Sequence, residues 1–213
     1  MLGANGAGKT TLLRCLAGIA AADSGEILYD GEPFRRNRVD LRQRLFLLPD
    51  FPFVYSEMTV LRHIGMVLRL YGADRPGIEE AVIELLRDFD MLPLVDAALG
   101  TLSRGETYKA ALSALLAADP EIWMFDEPFA SGMDPRGLNA FRRRAAEAVR
   151  RGRTVIFTTQ ILELAENFAD EVCILHHGRV HACDTLERLR VQMGSEGEDV
   201  LEEIFEQLHE IPI

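Results

Sequence analysis

GANGAGKT, residues 3–10, is the stretch from which the fold of this chain is read. It fits G-x-x-x-x-G-K-[ST], the phosphate-binding P-loop, which normally joins a buried strand to a helix. Gly3, Gly6 and Gly8 lack Cβ atoms, so the backbone can curl there and turn its N–H groups inward. Phosphate oxygens fill such a nest at the start of the following helix. Lys9 then brings a cation to the β- and γ-phosphates, and Thr10 offers a hydroxyl to Mg²⁺. A glycine-rich turn before a helix satisfies the same letters. Chance alone places the four fixed positions in about one chain of this length in a hundred, which favours function without settling it.

Outward from the loop, Leu12, Leu13, Leu16 and Ile19 recur at helical spacing, with Gly18 near the end. EILYDG, residues 26–31, reads as a strand entering a turn at Asp30-Gly31. RLFLLP, residues 44–49, is a buried strand closed by Pro49. The apolar spacing is helical again from Thr59 to Leu70, in residues 76–89 with Pro76 near the first turn, and in residues 105–118. Strand, helix, strand follows: EIWMFDEP (121–128), PRGLNAFRRRAAEAVRRG (135–152) and TVIFTT (154–159). Such alternation predicts an α/β fold with a mostly parallel sheet and helices on its faces. The helices between residues 59 and 117 have no strands between them and read as a helical insertion. EVCILHHGRVHAC (171–183) predicts a hairpin, and residues 197–210 an amphipathic helix with Val200, Leu201, Ile204, Phe205 and Leu208 on one face.

The chain has 213 residues, enough for one large domain, and 48% apolar residues, enough for a sizeable core. Its formal net charge of −11 speaks against a general nucleic-acid surface. The short basic runs at 35–38 and 142–144 read as solvated faces. Cys15, Cys173 and Cys183 are scattered and odd in number, which fits a reducing compartment better than a disulfide framework. No apolar run reaches transmembrane length and no signal-peptide pattern is present, so a cytosolic protein with any membrane role exerted through a partner is expected. His176-His177 reads as exposed polar, and no two His or Cys residues have zinc spacing.

The strand in IWMFDEP, residues 122–128, ends in two acids at the carboxyl edge of the sheet, where ligands bind in α/β folds. Asp126 can bind Mg²⁺ there, and Glu127 is placed to polarise an attacking water. A strand ending in a solvated turn fits the same stretch about equally well. LSRGE, residues 102–106, taken alone is a serine capping a helix.

The order of these motifs carries more than any one of them. A P-loop, a helical region, L-S-x-G-x and an apolar strand ending D-E-P together resemble the nucleotide-binding domain of an ABC ATPase. GANGAGKTT and DEPFASGMDP match that pattern closely, and the resemblance covers essentially the whole chain. It implies a P-loop NTPase with a core at residues 1–50 and 118–185, a helical subdomain at about 51–117 and a helical tail at 186–213. It implies ATP contacts by Asn5, Gly6, Ala7, Gly8, Lys9, Thr10 and Thr11, with Mg²⁺ at Thr10 and Asp126. In that family two subunits sandwich two ATP molecules head to tail, so Ser103 and the Gly105 amide would touch the γ-phosphate held by a second copy or a related ATPase subunit. Asp134, in SGMD, would be the key carboxylate of the loop linking the two sites; a simple turn before Pro135 is its other reading.

Three departures stand out. Arg104 replaces a glycine common at that place. Asp50 stands where the family usually has a glutamine. A carboxylate there can bind Mg²⁺ as a hard anionic ligand and take part in catalysis, or it merely caps a turn. Gln160 stands where a histidine usually contacts the γ-phosphate; its amide can donate a hydrogen bond but cannot become cationic. The lost contact is worth about 1.5–3 kcal/mol, so slowed but not absent hydrolysis is expected. The resemblance also implies strands ahead of the P-loop, one feeding it and one carrying an aromatic residue that stacks on adenine. Met1-Leu2 reads as a stub of the first, and the chain as N-terminally truncated. A lost central strand removes buried side chains worth about 1.5–3 kcal/mol each.

The expected function is that of an ABC transporter ATPase subunit, most like the type-2 exporters from its single cassette and the ending LEEIFEQL. It would work with a separate integral membrane subunit docked near residues 50–70, peripheral to the inner face of the cell membrane, without nucleic acid. The alternatives are an ATP-binding module impaired in hydrolysis and a non-transport ABC protein, although the latter usually carries tandem cassettes or long coiled coils.

Overall fold

The computed structural model describes residues 1–193 and 201–204. Its chain divides into two compact units, Leu13–Phe157 and Met1–Leu12 with Thr158–Ile213. The P-loop runs into α1 (Lys9–Leu16). That helix stops three residues before Ile19, which is 57% exposed and no part of its apolar face. Gly18 takes the left-handed conformation just beyond the helix, where a glycine ends it without strain.

In the larger unit, β1 (Leu28–Tyr29) and β2 (Glu32–Pro33) form a small antiparallel hairpin across Asp30 and Gly31, both with positive φ. The short helix α2 (Val39–Gln43) leads into β3 (Leu45–Leu48). Helices α3 (Val60–Leu70), α4 (Ile78–Asp88) and α5 (Arg104–Ala118) follow, with no strand between them. Thr59 caps α3 by accepting from the Arg62 amide. Pro76 does not enter the first turn of α4; it lies two residues ahead, and Gly77 in the left-handed conformation begins the helix. Next come β4 (Ile122–Phe125), α6 (Pro135–Arg150) and β5 (Thr154–Phe157). The order β3-β4-β5 is parallel throughout, as the alternation predicts.

Strand β4 is apolar at every position, because a central parallel strand is covered on both faces and has no solvated side to alternate with. Trp123 and Phe125 share one core with Ile64, Leu68, Leu86, Phe89, Leu112 and Leu115 of the helical segment. Phe125 and Phe141 of α6 meet edge to face, ring centroids 4.9 Å apart. Helix α5 is buried almost all round, which its alanines and leucines permit.

The smaller unit contains α7 (Leu162–Phe168), the antiparallel hairpin of β6 (Glu171–His176) and β7 (Arg179–Thr185), and α8 (Leu186–Met193). Leu2 is fully buried against Val172, Ile174, Leu189, Leu201 and Ile204. It pairs in parallel with Thr159 on one side and Ile174 on the other. Its amide donates to the Cys173 carbonyl at 2.8 Å, and its carbonyl accepts from the Leu175 amide at 2.8 Å. Residues 201–204 are helical, with Leu201 and Ile204 buried; Val200, Phe205 and Leu208 of the expected terminal helix lie outside the described residues.

Candidate functional site

Each unit holds its own set of candidate residues. In the smaller one the P-loop leaves Leu2 at Gly3, whose amide donates to the Thr159 carbonyl at 3.2 Å. A Cβ on Gly3 would sit 2.5 Å from the Leu175 carbonyl oxygen, so this glycine serves the close approach of β6. Gly6 and Gly8 carry the curl itself, at φ of 82° and 102°. Asn5 and Gly6 are exposed, and Ala7 is buried. The ammonium of Lys9 is folded back into the loop, donating to the Gly3 carbonyl at 2.7 Å and the Ala4 carbonyl at 3.2 Å, with the residue only 6% exposed. Thr10 is half-buried and Thr11 exposed in the first turn of α1.

Gln160 is brought to the same place. It is exposed and follows Thr159, which accepts from Gly3 and donates its own amide to the Met1 carbonyl at 3.0 Å. The turn of the β6–β7 hairpin also supports the loop, for the Gly178 amide donates to the Ala7 carbonyl at 3.0 Å. Sequence reasoning did not find that contact. The only local signal is the His177-Gly178 turn, in which both residues have positive φ.

In the larger unit, the parallel register of β3 and β4 delivers Asp50 and Asp126 to one sheet edge. Leu48 faces Phe125, and the Asp126 amide donates to the Leu48 carbonyl at 3.0 Å. Asp126 is buried. Glu127 is partly buried and left-handed at φ 48°, a conformation that costs a non-glycine residue about 1–3 kcal/mol and clusters at functional sites.

Ser103 caps α5. Its hydroxyl oxygen accepts from the Glu106 amide, while the Ser103 amide and hydroxyl both donate to the Glu106 carboxylate at 2.9 and 2.8 Å. Those bonds, the backbone one first, hold the Glu106 carboxyl below its ordinary range. Gly105 faces Gly132 so closely that a Cβ on it would lie 2.3 Å from the Gly132 carbonyl oxygen. The signature glycine is therefore required by packing.

Asp134 caps α6 by accepting from the Gly137 amide at 2.8 Å, and its other oxygen accepts from Lys109 at 3.0 Å. The backbone bond and then the lysine hold its carboxyl below the ordinary aspartate range. Lys109 is buried in α5, and a lysine next to the alanine- and leucine-rich run of that helix is the signal that could have marked it, though not its partner. Asp50 is taken by Arg104, whose Nη2 lies 2.5 Å from its Oδ1. Tyr108, one turn further along α5, is fully buried, and its hydroxyl has no hydrogen-bond partner among the described residues. Burial first, then the charges of Asp50 and Asp126, push its pKa above the tyrosine range.

The P-loop fits a nucleotide, because a glycine-curled loop that holds a buried ammonium at the start of a helix suits a polyphosphate. Among the described residues no three His, Cys, Asp or Glu side chains gather to hold a metal by themselves. Mg²⁺ needs no such cage, because it keeps several waters and binds through one or two protein oxygens plus phosphate.

A family model described as ABC transporter matches residues 1–130. The chain is 33% identical over 194 residues to the ABC-type transporter ATP-binding protein EcsA of Bacillus subtilis (strain 168), covering 91% of this chain and 78% of that protein. It is 34% identical over 179 residues to the Nod factor export ATP-binding protein I of Rhizobium sp. (strain N33), covering 84% of this chain and 59% of that protein. A solved structure described as the ATP binding subunit of an ABC transporter superposes with a TM-score of 0.91 at 29% identity, covering 98% of this chain and 86% of its own. The matched family span begins at the P-loop and runs past the acid pair at the end of β4, and on these grounds the chain belongs to the ABC transporter family as an ATP-binding protein.

Proposed function

We propose that the chain is the ATPase subunit of a transporter, binding Mg-ATP in a head-to-tail dimer and hydrolysing it to drive export through a separate membrane subunit. The observation that carries this is Lys9, a buried ammonium held in the mouth of a loop curled by two left-handed glycines. A lysine desolvated in this way is suited to a triphosphate. Asn5 to Thr11 bind the phosphates. Thr10, Asp126 and Asp50 would hold Mg²⁺, which would offset the charge of the bound phosphates. Glu127 accepts the proton of the attacking water, and Gln160 donates its amide to the γ-phosphate. Ser103 and the Gly105 amide reach the nucleotide of the second subunit, and Asp134 links the two sites.

No helix among the described residues is long and apolar enough to cross a membrane, so this reading places transport in a partner. Phe51, Phe53 and Tyr55 are 69%, 84% and 52% exposed, an apolar face that supports docking of that partner on residues 50–70 at the inner face of the membrane. The Nod factor relative is named for export, which favours that direction.

Lys9→Ala tests the reading. Loss of one charge-assisted phosphate contact weakens Mg-ATP binding by about ten- to a hundredfold. Unchanged affinity of a fluorescent ATP analogue would count against the reading. The second possibility, a module that closes on ATP but scarcely hydrolyses it, is favoured by Gln160. Gln160→His is expected to raise steady-state phosphate release by about ten- to a hundredfold, and equal rates would remove Gln160 as the slow element.

A further inference from the structure

We infer that Arg104 is a positioning residue for Asp50, and that the two together latch the segment following β3 to the start of α5. The inference rests on the ATPase reading above, because it concerns Asp50, a member of that site.

Arg104 is the first residue of α5, where the helix dipole disfavours a cation. Its place there calls for an anion outside the helix, and the structure supplies one 54 residues away in sequence. Nη2 of Arg104 donates to Oδ1 of Asp50 at 2.5 Å, and the guanidinium carbon lies 4.3 Å from the centroid of the Phe51 ring. One side chain thus grips two adjacent residues by different means, a charge-assisted hydrogen bond and a cation over an aromatic face. The same helix end suits the carboxylate of Asp50, for an anion is stabilised near a helix N-terminus. Asp50 and Arg104 carry opposite charges. As a pair they cancel in charge, whereas either alone leaves an uncompensated ion.

The pair is partly exposed, with side-chain exposures of 45% for Arg104 and 30% for Asp50, so it adds little to overall folding and its removal leaves a folded protein. Its consequence is local: it fixes where residues 50–53 sit, beside the exposed aromatic face offered to the membrane partner.

Two measurements on the full chain decide the matter. Hydrogen exchange of the nucleotide-free protein reads the latch directly. In R104G and in D50Q the amides of residues 51, 53, 54 and 55 exchange about fivefold faster than in the parent, and R104K, which keeps the charge but loses the planar fork, falls between. Steady-state ATPase measurements on D50Q, R104G and the double variant read the function. Each single change lowers kcat about tenfold, and the double lowers it no further than the worse single. Unchanged exchange in R104G overturns the inference, as does a double variant whose loss is the roughly hundredfold product of the singles. A parent protein that turns over no ATP overturns the ATPase reading instead, and exchange then decides the latch by itself.

Discussion

Glu127→Gln leaves Mg-ATP affinity within about twofold of the parent while turnover falls by about a thousandfold, the centre of the range for losing a general base. The change is isosteric, so the left-handed turn at φ 48° and the short helix Pro128–Ala130 behind it are kept. What disappears is the carboxylate oxygen proposed to take the proton from water. In the proposed function binding is carried by the P-loop and Lys9, in a different stretch of chain, and does not depend on that oxygen. The proposed head-to-tail dimer is held together by the ATP it sandwiches, so a variant that keeps its ATP also accumulates as a dimer with Mg-ATP on size-exclusion chromatography. Phosphate release and nucleotide affinity measured side by side separate the two effects. A proportional loss of both would remove Glu127 as the base and make it a structural residue.

Leu2→Ala carries the largest expected loss of stability, about 2–5 kcal/mol, the range for truncating a fully buried leucine. Against a total of roughly 5–15 kcal/mol for a domain, that is a large fraction. Leu2 is the residue on which the P-loop hangs: its backbone bonds Cys173 and Leu175, and its side chain fills the core between Ile174, Leu189 and Ile204. Ile19→Ala serves as control, because Ile19 is exposed and its truncation is expected to fall within about 0.5 kcal/mol of neutral. Denaturant melts of the two variants compare them directly. Equal midpoints would mean that Leu2 bears no load.

Much of the fold was legible because its signals are local. Strands β3, β4 and β5 are short apolar runs bounded by Pro49, by the acid pair and by Thr158-Thr159, and their length and β-branched or aromatic residues suit a strand better than a helix. Thr59, Ser103 and Asp134 announce three helices through the caps they form. The errors at Ile19 and Pro76 are errors of boundary. Apolar spacing continued past the end of α1 in one case, and a proline suggested a first turn that Gly77 displaced in the other. The P-loop and the acid pair were visible for a similar reason, since their chemistry is written in consecutive residues. The bond between Arg104 and Asp50, the seat of Lys109 on Asp134 and the hold of Gly178 on Ala7 were not visible. Each joins residues far apart in sequence, and no periodicity encodes which loop meets which helix end. Gly3 and Gly105 were read as letters of motifs, and both are also demanded by backbone crowding that only coordinates reveal.

The near contact of Gly105 with Gly132 has a mechanical consequence. With less than a methyl group's room between the two backbones, the start of α5 and the turn ahead of α6 cannot slide past one another. Lys109, clamped to Asp134 one turn along, closes the same joint from its far side. A push on either segment is therefore transmitted to the other as displacement instead of being absorbed, as through a hinge pinned at two points.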